Sequence, residues 1–143
     1  MILDQLLSRL KAIHSNGLVH RDMKPSNCLT GVGKYGNIIY ISDFSLAREP
    51  RDNVPDLPPE SRARLMGTAR FASTRGHFGQ EQSAWDDLES LGYMMIYFLA
   101  GRLPWQGIDA DDVNEHDRLV FLRKQSMTPA KMCSGFPKDV RNS

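Results

Sequence analysis

Cysteine is scarce: Cys28 and Cys133 are the only two in 143 residues. Two distant thiols make no disulfide framework, so a reducing setting, cytoplasmic or nuclear, is the expectation. An excess of one charge is also missing. Eighteen Lys and Arg face 17 Asp and Glu, for a formal charge of +1. That balance demands neither a nucleic-acid nor a membrane partner. No apolar run approaches the ~20 residues of a membrane span. The longest, LGYMMIYFLA at 91–100, reads as a buried helix. The histidines at 14, 20, 77 and 116 lack metal-ligand spacing. The stretch MILDQLLSRLKAIHS carries Asp4 and Arg9 and has no small-residue cleavage site, so it is not a secretory signal. Internal repeats and low-complexity segments are absent.

What is present is ordered punctuation. Ile2, Leu3, Leu6, Leu7, Leu10 and Ile13 recur at helical spacing until SNG at 15–17, which predicts a helix over 2–15. GLVHRDMKPSN reads as a loop. NCLT and NIIYIS are short β-prone runs joined by GVGKYG at 31–36, a hairpin signal. That hexapeptide has the spacing of a dinucleotide fingerprint, but such a fingerprint opens a helix. Here a β-prone run follows, so the glycines are expected to serve positive φ at a long turn. Residues 49–66 hold four prolines and mixed charge and read as irregular, and GTARFASTRGHFG continues without periodicity. SAWDDLESLGYMMIYFLAG is the clearest helix, with Ser83 and Asp86 in capping positions and Gly101 closing it. It is apolar on most faces from Leu88 to Leu99, so other elements should surround it. A further helix is expected over 111–125, and Thr128-Pro129 suits a new helix start.

The chemistry concentrates in HRDMKPSN at 20–27 and DFS at 43–45. Their order matches the protein-kinase pattern H-R-D-L-x-x-x-N followed by D-F-G. Phosphoryl transfer needs a carboxylate beside the attacking hydroxyl, oxygen ligands for magnesium, and positive charge near the migrating group. One tight loop supplies Asp22, Lys24 and Asn27, and a hairpin then returns Asp43 beside Asn27. In this reading Asp22 orients the acceptor hydroxyl and takes its proton. Lys24 neutralises phosphoryl charge, and Asn27 and Asp43 coordinate magnesium on ATP. His20 and Arg21 are structural support.

The segments LVHRDMKPSN, GVGKYGNIIYISDFSLAR, GTARFAS, HFGQEQSAWDDLESLGYMMIYFLAGRLPWQG and TPAKMCSGFP resemble the casein kinase I family of protein serine/threonine kinases. The likeness covers nearly the whole chain. It implies a mainly helical, truncated C-terminal lobe of the protein-kinase fold with a small β-hairpin, residues 1–143 forming one partial kinase domain. It places GVGKYG at a hairpin turn rather than over the phosphates. It implies protein substrates phosphorylated on Ser or Thr, with Lys24 two positions after Asp22 as the mark of that acceptor class. It gives Thr68 hydrogen bonds to Asp22 and Lys24, and gives Asp86 the task of holding the catalytic-loop backbone. Arg70 becomes part of a basic pocket for acidic or phosphorylated substrates. The glycine-rich loop, strand lysine and partner glutamate of the family are not in this sequence. The expectation is that an upstream exon supplies that lobe, and that the chain alone transfers little phosphate. The alternative is a non-catalytic, pseudokinase-like binding fragment. Three departures stand out: Ser45 for the glycine of D-F-G, Arg75 for asparagine, and the acidic run DADDVNEHD at 109–117 where the family is basic.

Overall fold

The computed structural model describes residues 1–51, 65 and 67–136. It is mostly helical with one two-stranded antiparallel sheet. Helix α1 spans Ile2–Ser15 and buries Leu6 and Leu10 completely, as their four-residue spacing requires. Its polar side chains are structural too. Gln5 accepts from the Ile39 amide at 2.9 Å and donates to the Asn37 carbonyl at 2.8 Å. Arg9 donates to the Ile39 carbonyl at 3.1 Å. The helix therefore satisfies the free edge of the hairpin, whose backbone groups need partners once covered.

A 3₁₀ turn at Pro25–Asn27 leads into strand β1, Cys28–Thr30, which pairs with β2, Ile39–Ile41. The register sets Cys28 opposite Ile41 and Thr30 opposite Ile39. Between the strands, Gly33–Tyr35 forms a second 3₁₀ turn. The expected positive φ occurs at Gly33 alone within the hexapeptide, at 57°. Gly36 sits at an ordinary helical φ of −58°. Gly31 serves a different need: a Cβ there would strike the Tyr35 backbone carbonyl, so close approach demands the glycine.

The stretch expected to be irregular at 49–66 falls largely outside the described residues. Beyond it, the supposedly aperiodic GTARFASTRGHFG contains a short helix, α2, Thr74–His77. The Ser73 hydroxyl accepts from the Gly76 amide at 3.0 Å and caps it. Helix α3, Ala84–Ala100, ends on Gly101 at φ 74°. Its Leu91, Tyr93 and Met94 are buried with Leu103 and Trp105. The apolar surface is not fully surrounded as expected, for Phe98 and Leu99 remain exposed. Helix α4, Val113–Gln125, starts two residues later than predicted because Asp112 caps it, accepting from the Glu115 amide at 2.9 Å. Helix α5, Pro129–Met132, follows the Thr128 cap. No helix among the described residues is long and apolar enough to cross a membrane.

One buried charge shapes the stability. Lys124 of α4 is 5% exposed, and burial pushes its ammonium down to about 7 from 10.5. The unfolded chain holds that proton up to about pH 10.5, whereas the folded chain releases it near 7. Unfolding therefore takes up a proton in that window, and stability rises with pH. Burial pushes the Cys28 thiol up to about 11, which acts in the opposite sense above its ordinary value of 9.0. Between pH 7 and 9 the unfolding free energy from urea titration should climb by about 2–3 kcal/mol. Lys124→Met should flatten that rise, and a flat wild-type profile would contradict the assignment.

Candidate active site

Loop 20–27 runs between α1 and β1 in a conformation it would not choose alone. Arg21 has φ 68°, a left-handed value that costs a non-glycine residue about 1 kcal/mol or more. The constraint comes from Asp87 in the first turn of α3, a residue 1% exposed. Its Oδ2 accepts from the His20 amide at 2.8 Å and its Oδ1 from the Arg21 amide at 2.9 Å. His14 of α1 donates through Nε2 to the same carboxylate at 2.8 Å. One side chain thus ties α1, the loop and α3.

This corrects an expectation. Asp86 was expected to hold the loop backbone, and it does not. Asp86 Oδ2 accepts from the Ser83 amide at 2.7 Å and Oδ1 from the Ser73 hydroxyl at 2.7 Å. On a helix, adjacent residues point about 100° apart, so only one of the pair can face the loop. The neighbour at the right angle is Asp87.

His20 is fully buried. Its Nε2 donates to the Ser42 carbonyl at 3.0 Å, and its Nδ1 accepts from the Asp22 amide at 3.3 Å. The Arg21 Nε donates to the Leu46 carbonyl at 2.6 Å. Both side chains therefore brace the returning segment after β2.

The polar centre is closed. Lys24 Nζ lies 2.7 Å from Asp22 Oδ2 and donates to Thr68 Oγ1 at 3.1 Å. Thr68 in turn donates to Asp22 Oδ1 at 3.1 Å. Asn27 Nδ2 donates to the Asp22 carbonyl at 2.9 Å and to its Oδ2 at 3.4 Å. Two segments distant in sequence, the 20–27 loop and Thr68, thus meet on one carboxylate. Asp22 is 8% exposed and Asn27 5% exposed, so these bonds are largely shielded from water.

Asp43 arrives by the hairpin. The Ser42 amide donates to the Asn27 carbonyl at 2.9 Å, so the next residue emerges beside the loop. Asp43 has φ 60°, again left-handed, and its carboxylate is exposed. Ser45, the residue in the glycine position, donates its hydroxyl to Asp43 Oδ1 at 2.6 Å and its amide at 3.3 Å. The Ser45 hydroxyl holds the Asp43 carboxyl below its ordinary value, with the Ser45 amide and the Lys24 charge also favouring the anion. Asp43 Oδ2 has no hydrogen-bond partner among the described residues, nor has the Asn27 amide oxygen.

Among the described residues no three His, Cys, Asp or Glu side chains converge as an ion cage. One carboxylate oxygen and one amide oxygen instead suit a hard cation that keeps its remaining ligands from phosphates and water, the habit of magnesium. Arg70 is exposed beside a cleft of about 230 Å³ that Lys24, Thr68, Phe71 and Tyr97 also line. Its backbone carbonyl accepts from Trp105 Nε1 at 2.7 Å. Of the departures, Arg75 donates to the Glu81 carbonyl at 3.1 Å.

Sequence reasoning missed His14, Ser73, Asp87 and Lys124. Asp87 was legible as the second acid of a pair at a helix start, but nothing local separates it from Asp86. His14 and Lys124 gave no signal, because their partners lie 73 and 52 residues away.

A family model described as the protein kinase domain matches residues 1–140.

The two acidic neighbours are separable by experiment. Asp87→Ala should lower stability by about 3–5 kcal/mol, since it strips a buried loop of its acceptor. Asp86→Ala should cost about 1–2 kcal/mol, nearer to a lost cap. Equal losses in urea titration would refute the division. Ser45→Gly should raise the Asp43 titration midpoint, followed by carboxyl carbon NMR; an unchanged midpoint would remove Ser45 from that role.

Proposed function

The chain belongs to the protein kinase family, and on that premise we propose that it forms the catalytic-loop part of a serine/threonine kinase of the casein kinase I type. The observation carrying this reading is the Asp22–Lys24–Thr68 triangle, with Asn27 bound to Asp22 and Asp43 emerging alongside. A fold that needed these residues only for stability would not gather an ammonium, an amide and the distant Thr68 hydroxyl on one nearly buried carboxylate while leaving Asp43 Oδ2 and the Asn27 amide oxygen open.

In the proposed reaction Asn27 and Asp43 would hold magnesium on ATP; the metal would neutralise charge as the γ-phosphoryl group leaves ADP and bonds to the acceptor oxygen. The other roles belong to the chain's own side chains. Asp22 orients the Ser or Thr hydroxyl of a protein substrate and accepts its proton. Lys24 places an ammonium beside Asp22, where it meets charge on the transferred group. Thr68 holds both in register through its single hydroxyl. His20, Arg21 and Asp87 keep the loop in its strained shape. Arg70, with no hydrogen bond from its guanidinium among the described residues, faces the cleft where a substrate would lie. The acidic run 109–117 contains Asp117 and Glu115, and Glu115 pairs at 2.9 Å with Arg118, just beyond the run in the same helix.

Thermal denaturation with magnesium and ATP tests the reading. At tenfold excess over Kd, the linkage adds about 1.4 kcal/mol, a rise of about 3–5 °C for a chain of this size. The shift should vanish with chelator and in Asp43→Asn. Absence of any magnesium-dependent shift up to millimolar nucleotide would overturn it. In a chain joined to a glycine-rich lobe, transfer to Ser or Thr peptides should exceed that to Tyr peptides, and Asp22→Asn should reduce it at least about 100-fold.

A further inference from the structure

Lys124 is a buried lysine with no carboxylate within ion-pair distance among the described residues. Its Nζ donates to the Ala69 carbonyl at 2.8 Å and the Ala72 carbonyl at 2.5 Å, and lies 3.0 Å from His77 Nε2. The ring centroids of Tyr93 and Trp105 stand 4.8 and 5.1 Å away. Glu89 of α3 and Asp117 of α4 favour the ammonium from further off, and burial opposes it. Burial and the Lys124 charge also hold the His77 imidazole down to about 3, so it faces the lysine as a neutral acceptor. An apolar side chain of similar length would avoid burying a charge but would leave both carbonyls without this partner. What lysine adds is direction: at least two N–H donors aimed at chosen carbonyls.

Those carbonyls belong to the turn that carries Thr68. The amides of Phe71 and Ala72 both donate to the Thr68 carbonyl at 2.9 Å. Trp105 holds the Arg70 carbonyl from the same side as part of the core. The carbonyls of residues 68, 69, 70 and 72 are thus all engaged, two of them by one amine. The Thr68 hydroxyl projects from this turn to Asp22 and Lys24.

We propose that Lys124 is a positioning residue: its amine clamps the 68–72 turn onto α4 and thereby sets the Thr68 hydroxyl against Asp22 and Lys24. The role rests on the kinase reading of Thr68, while the contact it explains does not. Helix α4 is thus coupled to the 20–27 loop through the Lys124 bonds to the 68–72 turn and the Thr68 hydroxyl, while no α4 residue lines the cleft beside Lys24 and Thr68. The clamp survives loss of the extra proton, because a neutral amine retains two N–H donors for the two carbonyls, and His77 can then donate through Nε2.

Backbone and side-chain NMR on the 143-residue chain tests this with Lys124→Met and Lys124→Arg. In Lys124→Met, amide exchange at Phe71 and Ala72 should rise at least tenfold while Leu91 and Met94 in α3 keep their protection. The Thr68 methyl resonance should move toward its unfolded position, and Lys124→Arg, which keeps N–H donors, should restore most of both signals. Unchanged exchange at Phe71 and Ala72 would overturn the proposal. So would an equal loss in the turn and in α3, the mark of a merely structural residue. If Lys124→Met does not fold, the wild type decides in low urea. Lys124 Nζ protons and the Phe71 and Ala72 amides should then open together and before α3; independent opening overturns the clamp. None of these signals needs nucleotide, so failure of the kinase reading would appear separately, as a missing thermal shift.

Discussion

The carboxylate of Asp87 is the constraint on which the rest depends. Two consecutive backbone amides, His20 and Arg21, point at one buried anion. Peptide planes cannot turn both N–H groups to the same side in an extended strand, so the chain takes a left-handed step at Arg21. That step turns Asp22 inward to meet Thr68 and turns Arg21 outward to meet Leu46. Remove the anion and the loop has neither a reason for its strain nor partners for its buried amides.

The first two turns of α3 act on two other segments at once, the 20–27 loop and the start of α2. Asp87 holds the 20–27 loop. Asp86 holds Ser73, and Glu89 accepts from the amide and hydroxyl of Thr74 at 2.8 Å each and from Tyr93 at 2.6 Å. Helical periodicity sets residues 86 and 89 on one face, toward Ser73 and Thr74, and turns 87 about 100° away toward the loop, so the start of one helix addresses neighbours on two sides. The short helix α2 exists for this reason. Its own sequence is too brief to nucleate a helix, and the contacts from α3 replace what propensity does not supply.

The hairpin solves a distance problem. Asn27 and Asp43 are 16 positions apart, yet the strand register brings the chain back beside its starting point within a few residues of pairing. The lone left-handed residue at its far end, Asp43, is then fixed by the hydroxyl of Ser45. A glycine there would leave the carboxylate freer to turn. Serine trades that freedom for one orientation, with Oδ1 engaged and Oδ2 open.

Much was legible in the sequence. The helix at 2–15, the hairpin, the long helix closed by Gly101 and the Thr128 start all follow from periodicity and punctuation that act within a few residues. The grouping of Asp22, Lys24 and Asn27 was legible for the same reason, since a tight loop leaves them nowhere else to go. What the sequence could not decide was every contact whose partner lies far along the chain. The choice of Asp87 over Asp86 depends on the angle at which α3 meets the loop. The reason for Gly31 depends on the path of a turn folding over itself. The place of Lys124 under the 68–72 turn depends on where α4 packs. Local order is set by short-range sterics and hydrogen bonding, which composition and spacing encode directly. Angles between packed elements emerge from the whole core at once, and only the folded chain settles them.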